Sequence, residues 1–152
     1  MAGRTGQQGR HYVDDSILQK AVVCRLALAV NDSPYIVPVN FGYDGQAIYF
    51  HSAREGQKID MLKANNRVCI QADADYDLVK TNRACTWSFK YRSVIGYGRA
   101  YIIDDPESKK KALDIIMAHY AEGKFEYVAA EVEKMIVVKI EIDSLTGKQS
   151  GY

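Results

Sequence analysis

Between residues 22 and 30 apolar and polar positions alternate, with Cys24, Leu26, Leu28 and Val30 on one face and Arg25 among small residues on the other. A period of two belongs to a half-buried strand, so the first strand is expected here. Asn31-Asp32-Ser33-Pro34 turns the chain into a second β-rich run over residues 35–41, and a third follows over 46–51. Asp44-Gly45 between the last two favours positive φ, which predicts that they pair as a hairpin. Pro38 lies inside the second run and cannot donate to a ladder, so it marks an edge, a bulge or an opening of the sheet. After residue 51 the period changes. Ser52-Ala53-Arg54-Glu55 has the form of a capping box, and the helix it predicts carries Ile59, Met61 and Leu62 inward, with Arg54 and Lys58 four apart on the same face.

Residues 67–73 give a fourth strand, and 73–82 a polar excursion. The stretch CTWSFKYRSVIGYGRAYII, residues 85–103, is strand-like with Gly96 and Gly98 interrupting it, as a bent barrel strand requires. Asp105 with Pro106 opens a helix whose stripe is Ala112, Leu113, Ile116, Met117 and Tyr120; His119 beside it is given no chemistry. KMIVVKIEI, residues 134–142, alternates into a last strand, and 143–152 reads as a polar tail. Near the start, Asp14-Asp15-Ser16 can cap a short lid helix with Ile17, Leu18 and Ala21 as its apolar patch. Residues 1–12 lack periodicity and read as a flexible N-terminal arm before a single domain over 13–152. Six mostly antiparallel strands with few helices predict a mainly β fold, a small barrel rather than a doubly wound sheet.

Composition narrows the function by exclusion. Among 152 residues, 20 Lys and Arg stand against 19 Asp and Glu, and neither sign forms a long run, so no nucleic-acid partner is expected. No apolar run reaches the roughly 18 residues of a membrane span, and the N-terminus lacks a signal peptide's apolar core; no membrane association and a cytoplasmic location are expected. Cys24, Cys69 and Cys85 each lie in an apolar strand-like run and read as reduced core thiols. His11, His51 and His119 are too scattered to argue a metal site, and none is expected. Eleven tyrosines and one tryptophan offer flat amphipathic surfaces for a pocket or an interface.

No nucleophile elbow, Walker loop, zinc-protease motif or dinucleotide fingerprint occurs, which leaves a binding site as the chemistry to look for. The helix after residue 51 either presents its first N–H groups and dipole to an anion, worth about 0.3–1 kcal/mol, or simply follows a capped loop with the Arg54 and Lys58 stems lying along apolar surface and their heads in water. Lys90 and Arg92 share one face of the long strand, Tyr91 and Ser93 the other, either as a solvated strand or as part of a site. Arg92 with Ser52 and Lys58 would supply the fork, hydroxyl and point charge suited to a phosphate ester, which carries about −1.5 to −2 charges.

The runs VCRLALAV, PYIVPVNFGYDGQAIYFHSAREGQKIDMLKANNRVCI, CTWSFKYRSVIGYGRA and IEIDSLTGKQS, in this order and spacing, resemble the pyridoxamine 5′-phosphate oxidase-related FMN-binding split barrels, specifically their nitroimidazole-resistance (Nim-like) branch. The resemblance covers residues 22–150. It implies a six- to seven-stranded antiparallel split β-barrel, forming a homodimer with FMN at the subunit interface. It further implies that Val37, Pro38, Val39 and Asn40 run beside the isoalloxazine, that His51 and Ser52 follow at the strand end, and that Lys58 reaches the phosphate. Tyr91, Arg92 and Ser93 match the segment that completes the pocket, Trp87 covers the ring from across the dimer, and Thr146-Gly147-Lys148 matches a C-terminal motif. Arg54 is structural by the same comparison. The C-terminal substrate-binding Arg and His pattern of true pyridoxamine-phosphate oxidases is missing, so that vitamer is not an expected substrate.

Two functional classes follow. One is an FMN-dependent oxidoreductase that reduces a small electrophile such as a nitroimidazole or another nitroaromatic, with His51 as catalytic proton donor or ring-stacking wall, or simply as a strand-end histidine in a hydrogen-bond network. The other is a flavin-binding carrier, sensor or sequestering protein without turnover; a haem-binding split barrel is a third possibility.

Overall fold

The computed structural model describes residues 15–152; the arm expected over residues 1–12, together with His11 and Asp14, lies outside the described residues. A short helix α1 (Ser16–Lys20) leads to β1 (Cys24–Val30), β2 (Ser33–Val39), β3 (Gly42–Tyr43) and β4 (Ala47–Ala53). Helix α2 (Gln57–Ala64) precedes two long strands, β5 (Arg67–Val79) and β6 (Ser88–Ile103); α3 (Pro106–Tyr120), α4 (Ala129–Lys134) and β7 (Met135–Ser150) complete the chain. The seven strands form one antiparallel sheet in the order β2-β1-β5-β6-β7-β4-β3. Only Asn40 and Phe41 join β2, on one edge, to β3, on the other. Three Cα steps span at most about 11 Å, so the sheet must curl until its edges meet. The result is the expected split barrel, with a seam between β2 and β4.

Alternation fills the barrel. Leu26 and Leu28 of β1, Phe50 of β4, Ile70 of β5, Val94 of β6 and Val138 and Ile140 of β7 point inward, and Ile17, Leu18, Ile59 and Leu62 from α1 and α2 close the ends. The opposite face of β4 and β7 is covered as well. Ala47, Tyr49 and Val137 pack under Ala112, Leu113 and Ile116 of α3 and Val132 of α4, which is why β4 reads as an unbroken apolar run. The α3 cap is as expected, with the Ser108 N–H donating to Asp105 over 2.8 Å. Among the described residues no helix is long and apolar enough to cross a membrane.

Several expectations are corrected. The second run pairs with β1, in register from Cys24–Val39 to Val30–Ser33, and not with β4. Asp44-Gly45 does turn a hairpin, with Gly45 at φ 95° and the Asp44 carboxylate accepting from Gln46 and Ala47 N–H at 2.8 Å, but the strand entering it is the two-residue β3. Pro38 sits in an edge strand whose ladder has no bulge. No capping box forms. Pairing with β7 keeps Ser52 and Ala53 extended, opposite Ile136 and Met135, and the helix begins four residues later behind Gly56 at φ 137°, without a side-chain cap. The supposed excursion over 73–82 is mostly strand, with a bulge between Ala74 and Asp77 that holds Asp75 at φ 54°. The supposed tail continues β7 until Ser150 opposes Tyr91. Cys85 lies exposed in a 3-10 turn (Ala84–Thr86) instead of in a strand, whereas Cys24 is buried and Cys69 half-buried. The bend expected in β6 comes at Gly98, where the β7 register shifts and a Cβ would fall against the Glu141 carbonyl.

Candidate functional site

The seam leaves backbone unpaired. β3 reaches only as far as Tyr49 along β4, so the rest of β4 has β7 on one side and no strand on the other among the described residues; the outer edge of β2 is likewise open. A cleft of about 420 Å³ lies here, lined by Tyr35, His51, Ser52, Gly56, Gln57 and Lys58 among others. That size falls within the roughly 300–1,000 Å³ of small-molecule sites.

Local structure sets each side chain. Phe50 points into the core, so the next residue, His51, points out and is exposed, while Ser52 is half-buried. Lys58 stands in the first turn of α2 with its Nζ 5.3 Å from the centroid of the Phe50 ring. Burial pulls its pKa below the usual lysine value. Among the described residues it makes no ion pair. Gly56 has no side chain with which to cap the helix, so the first N–H groups of α2 keep their donors free of a side-chain cap. A half-buried cation without a counter-ion, an uncapped helix start and the Ser52 hydroxyl therefore meet at one cleft. The donor set fits a dianionic phosphate, the group by which FMN would be held.

Val37, Pro38, Val39 and Asn40 follow Tyr35 along and just beyond the edge strand. Val39 is 7% exposed and belongs to the core; Val37 is half-buried, and Pro38 and Asn40 are exposed. Tyr91, Arg92 and Ser93 lie on β6, which β7 separates from β4 in the strand order. Arg92 does not line the seam cleft. Its Nη1 donates to Asp75 at 2.8 Å, its guanidinium lies 4.4 Å from the Tyr152 ring centroid, and its hydrogen bond holds the Asp75 carboxyl below the usual range. Tyr91 lines a different cleft, of about 520 Å³, with Lys20, Arg25, Asp73 and Phe89. Trp87 is exposed near the tip of the β5–β6 hairpin, its Nε1–H donating to the Thr81 carbonyl over 2.9 Å. Thr146, Gly147 and Lys148 lie on β7 opposite Ile95, Val94 and Ser93. A single chain thus joins His51, Ser52 and Lys58 at the seam and holds the β6 group on another wall.

The cation expected beside Lys58 has another role. Arg54 grips both oxygens of Asp104 at 2.8 Å and donates from Nε to the Glu133 carbonyl at 2.7 Å, tying the β4–α2 turn to the α3–α4 side. Two participants went unnoticed in the sequence. Tyr35 shares the β2 face of Val37 and Val39, a spacing of two that could have placed it in the cleft wall. Lys109 is 1% exposed, and its place three and four residues before Ala112 and Leu113 put it on the buried stripe.

Residues 14–149 match the family profile described as pyridoxamine 5′-phosphate oxidase. A crystal structure from Bacteroides thetaiotaomicron, of a candidate 5-nitroimidazole antibiotic resistance protein, is 39% identical, covering 88% of this chain and 80% of its own, with a TM-score of 0.78. The FAD- and haem-binding protein of Mycobacterium smegmatis superimposes with a TM-score of 0.79 at 21% identity, over 91% of this chain and 70% of its own, a likeness of fold. An uncharacterized Rhizobium meliloti (strain 1021) protein is 41% identical over 49 residues, so the match spans only 32% of either chain.

Proposed function

The chain belongs to the pyridoxamine 5′-phosphate oxidase family, in the branch of nitroimidazole-resistance-like proteins, and on that premise we propose that its seam binds FMN and serves an oxidoreductase. The substrates of this reading are small electrophiles such as nitroimidazoles and other nitroaromatics. One observation carries it: the half-buried Lys58, without a counter-ion among the described residues, at the uncapped start of α2. Ser52 and Lys58 would hold the phosphate, and the main chain of Val37, Pro38, Val39 and Asn40 would meet the polar edge of the ring. Bound there, the flavin would supply the redox chemistry, and the protein would orient it and exclude water. His51, exposed at the strand end and lining the cleft, would give a proton to a reacting substituent in this reading.

The site is a shared one in this reading. Tyr91, Arg92 and Ser93 would complete the pocket from a second copy of the chain, with Trp87 covering the ring. An apolar row across the outer face of the sheet supports such a homodimer: Ile36, Ala27, Cys69 and Tyr97 stand directly opposite one another on β2, β1, β5 and β6. Ile36 and Tyr97 are 64% and 57% exposed in the single chain, as an unpaired interface would be.

Fluorescence titration with FMN tests the proposal. Lys58→Ala is expected to weaken FMN about 10- to 100-fold, the value of a charge-assisted hydrogen bond of about 1.5–3 kcal/mol. The same variant without flavin should melt no lower than the parent, because burying an unpaired ammonium opposes folding. A parent protein that takes up no FMN, or a variant that binds it unchanged, overturns the reading. Bleaching of the bound flavin by NADPH with loss of a nitroimidazole separates turnover from storage, and a His51→Ala variant with flavin bound and an unaltered rate removes His51 from the chemistry.

A further inference from the structure

His51 borders two cavities. Besides the seam cleft it lines a pocket of about 250 Å³ between α3 and α4, walled by Leu113, Ile116, Met117, Val132 and Met135 with the Tyr127 ring. We infer that this pocket binds the ring of a small, uncharged, single-ring aromatic compound whose substituent emerges at His51, the residue that lines both the pocket and the seam cleft. If the seam holds flavin, as proposed above, the ring is that of the electron acceptor.

Size matches a single ring. An apolar cavity of about 150 Å³ accepts benzene, so about 250 Å³ has room for one substituted ring. Chemistry decides the charge. The polar groups near the walls are already satisfied: the Tyr127 hydroxyl donates to Asp114 at 2.8 Å, and all three donors of Lys109 go to Asp104, Val132 O and Met135 O. Among the described residues that line it there is no lysine or arginine, so apart from His51 no cation faces an anion in the pocket. Glu126 and Glu131 border it instead, and Glu131 is paired with Lys134 at 3.1 Å while Glu126 makes no ion pair among the described residues. A carboxylate-bearing ring meets repulsion at this rim, whereas a neutral one loses only water.

Methyl-labelled full-length protein, titrated with 4-nitrobenzyl alcohol and with 4-nitrobenzoate in the presence and absence of FMN, tests the inference by nuclear magnetic resonance. The neutral alcohol should shift the Leu113, Met117 and Met135 methyl signals saturably, and the carboxylate should bind at least tenfold more weakly. Met117→Phe, which fills the pocket, should weaken the alcohol by tenfold or more while the remaining spectrum stays folded. Val128→Trp, at an exposed rim position, repeats the obstruction should the first variant fail to fold. Shifts confined to the seam around Tyr35, shifts that do not saturate, or equal binding of alcohol and carboxylate overturn the inference. Methyl shifts that occur in a protein unable to bind FMN uphold the ring pocket and remove the flavin reading. FMN binding without these shifts does the reverse.

Discussion

Replacing Lys109 with methionine keeps the length and apolar stem of the side chain and removes its ammonium. Lys109 is the buried charged side chain among the described residues, 1% exposed, with Nζ 2.7 Å from Val132 O, 3.0 Å from Met135 O and 3.1 Å from Asp104. An ammonium has three donors, and all are used. Methionine would leave the Met135 carbonyl without this partner, at a cost of about 1–3 kcal/mol, while the Val132 carbonyl loses less because it still accepts from the Met135 N–H. Asp104 loses less, since its side chain is 51% exposed and still gripped by Arg54. Relief from desolvating the ammonium offsets part of the loss, and the net destabilisation comes to about 2 kcal/mol. For a chain of this size, about 2–4 °C per kcal/mol gives a fall in Tm of about 4–8 °C. Thermal denaturation followed by circular dichroism at pH 7 and equal protein concentration measures it. The control is Lys110→Met on the same helix, where a 3.8 Å contact with exposed Glu107 is worth about 0–1 kcal/mol. A Lys109→Met protein melting within about 2 °C of the parent, or a control falling as far, would refute the reasoning.

Two further outcomes follow from groups already described. The hydrogen bonds of Arg54, then of Lys109, hold the Asp104 carboxyl down to about 2, so its contribution is complete above the ordinary carboxylate range and is lost as pH falls towards about 2. Melting temperature should therefore drop more steeply between about pH 4 and pH 2 in the parent than in Asp104→Asn, and parallel profiles would refute this. Burial pushes the Cys24 thiol up to about 12, while Cys85 lies exposed, so a disulfide reagent at pH 8 should modify Cys85 rapidly and leave Cys24 untouched until unfolding. A fast phase that survives Cys85→Ser would contradict that assignment.

Strands packed on the core were legible because one face of each is apolar. β1 and the first part of β7 show this, and so does the α3 stripe behind its Asp105 cap. The ends of β5 and β7 were not, because residues 75–78 and 146–149 are exposed on both faces and only the neighbouring strand gives them their form. Ser52-Ala53-Arg54-Glu55 misled for a related reason. A local capping pattern competes with seven ladder positions opposite β7, and the ladder wins, leaving Gly56 to start the helix. His51, Ser52 and Lys58 sit where the strand pattern gives way to the helical one, a change legible in the sequence, and the structure brings them to one cleft. Lys109 escaped notice because nothing in the sequence announces that the helix partners of a buried lysine are carbonyls from a segment over twenty residues later.

The strand order also fixes when the seam can exist. β4 carries His51 and Ser52, yet its full-length partner is β7, the last strand of the chain, with Ala47 opposite Glu141 and Ala53 opposite Met135. Until β7 has been made and inserted between β6 and β4, one wall of the cleft has no ladder to hold it and α2 has no fixed place to start. Pairings this distant in sequence are slow to form, so the cleft is among the last parts of the fold to assemble during synthesis. A nascent chain halted before residue 135 would carry every seam side chain and still have no seam.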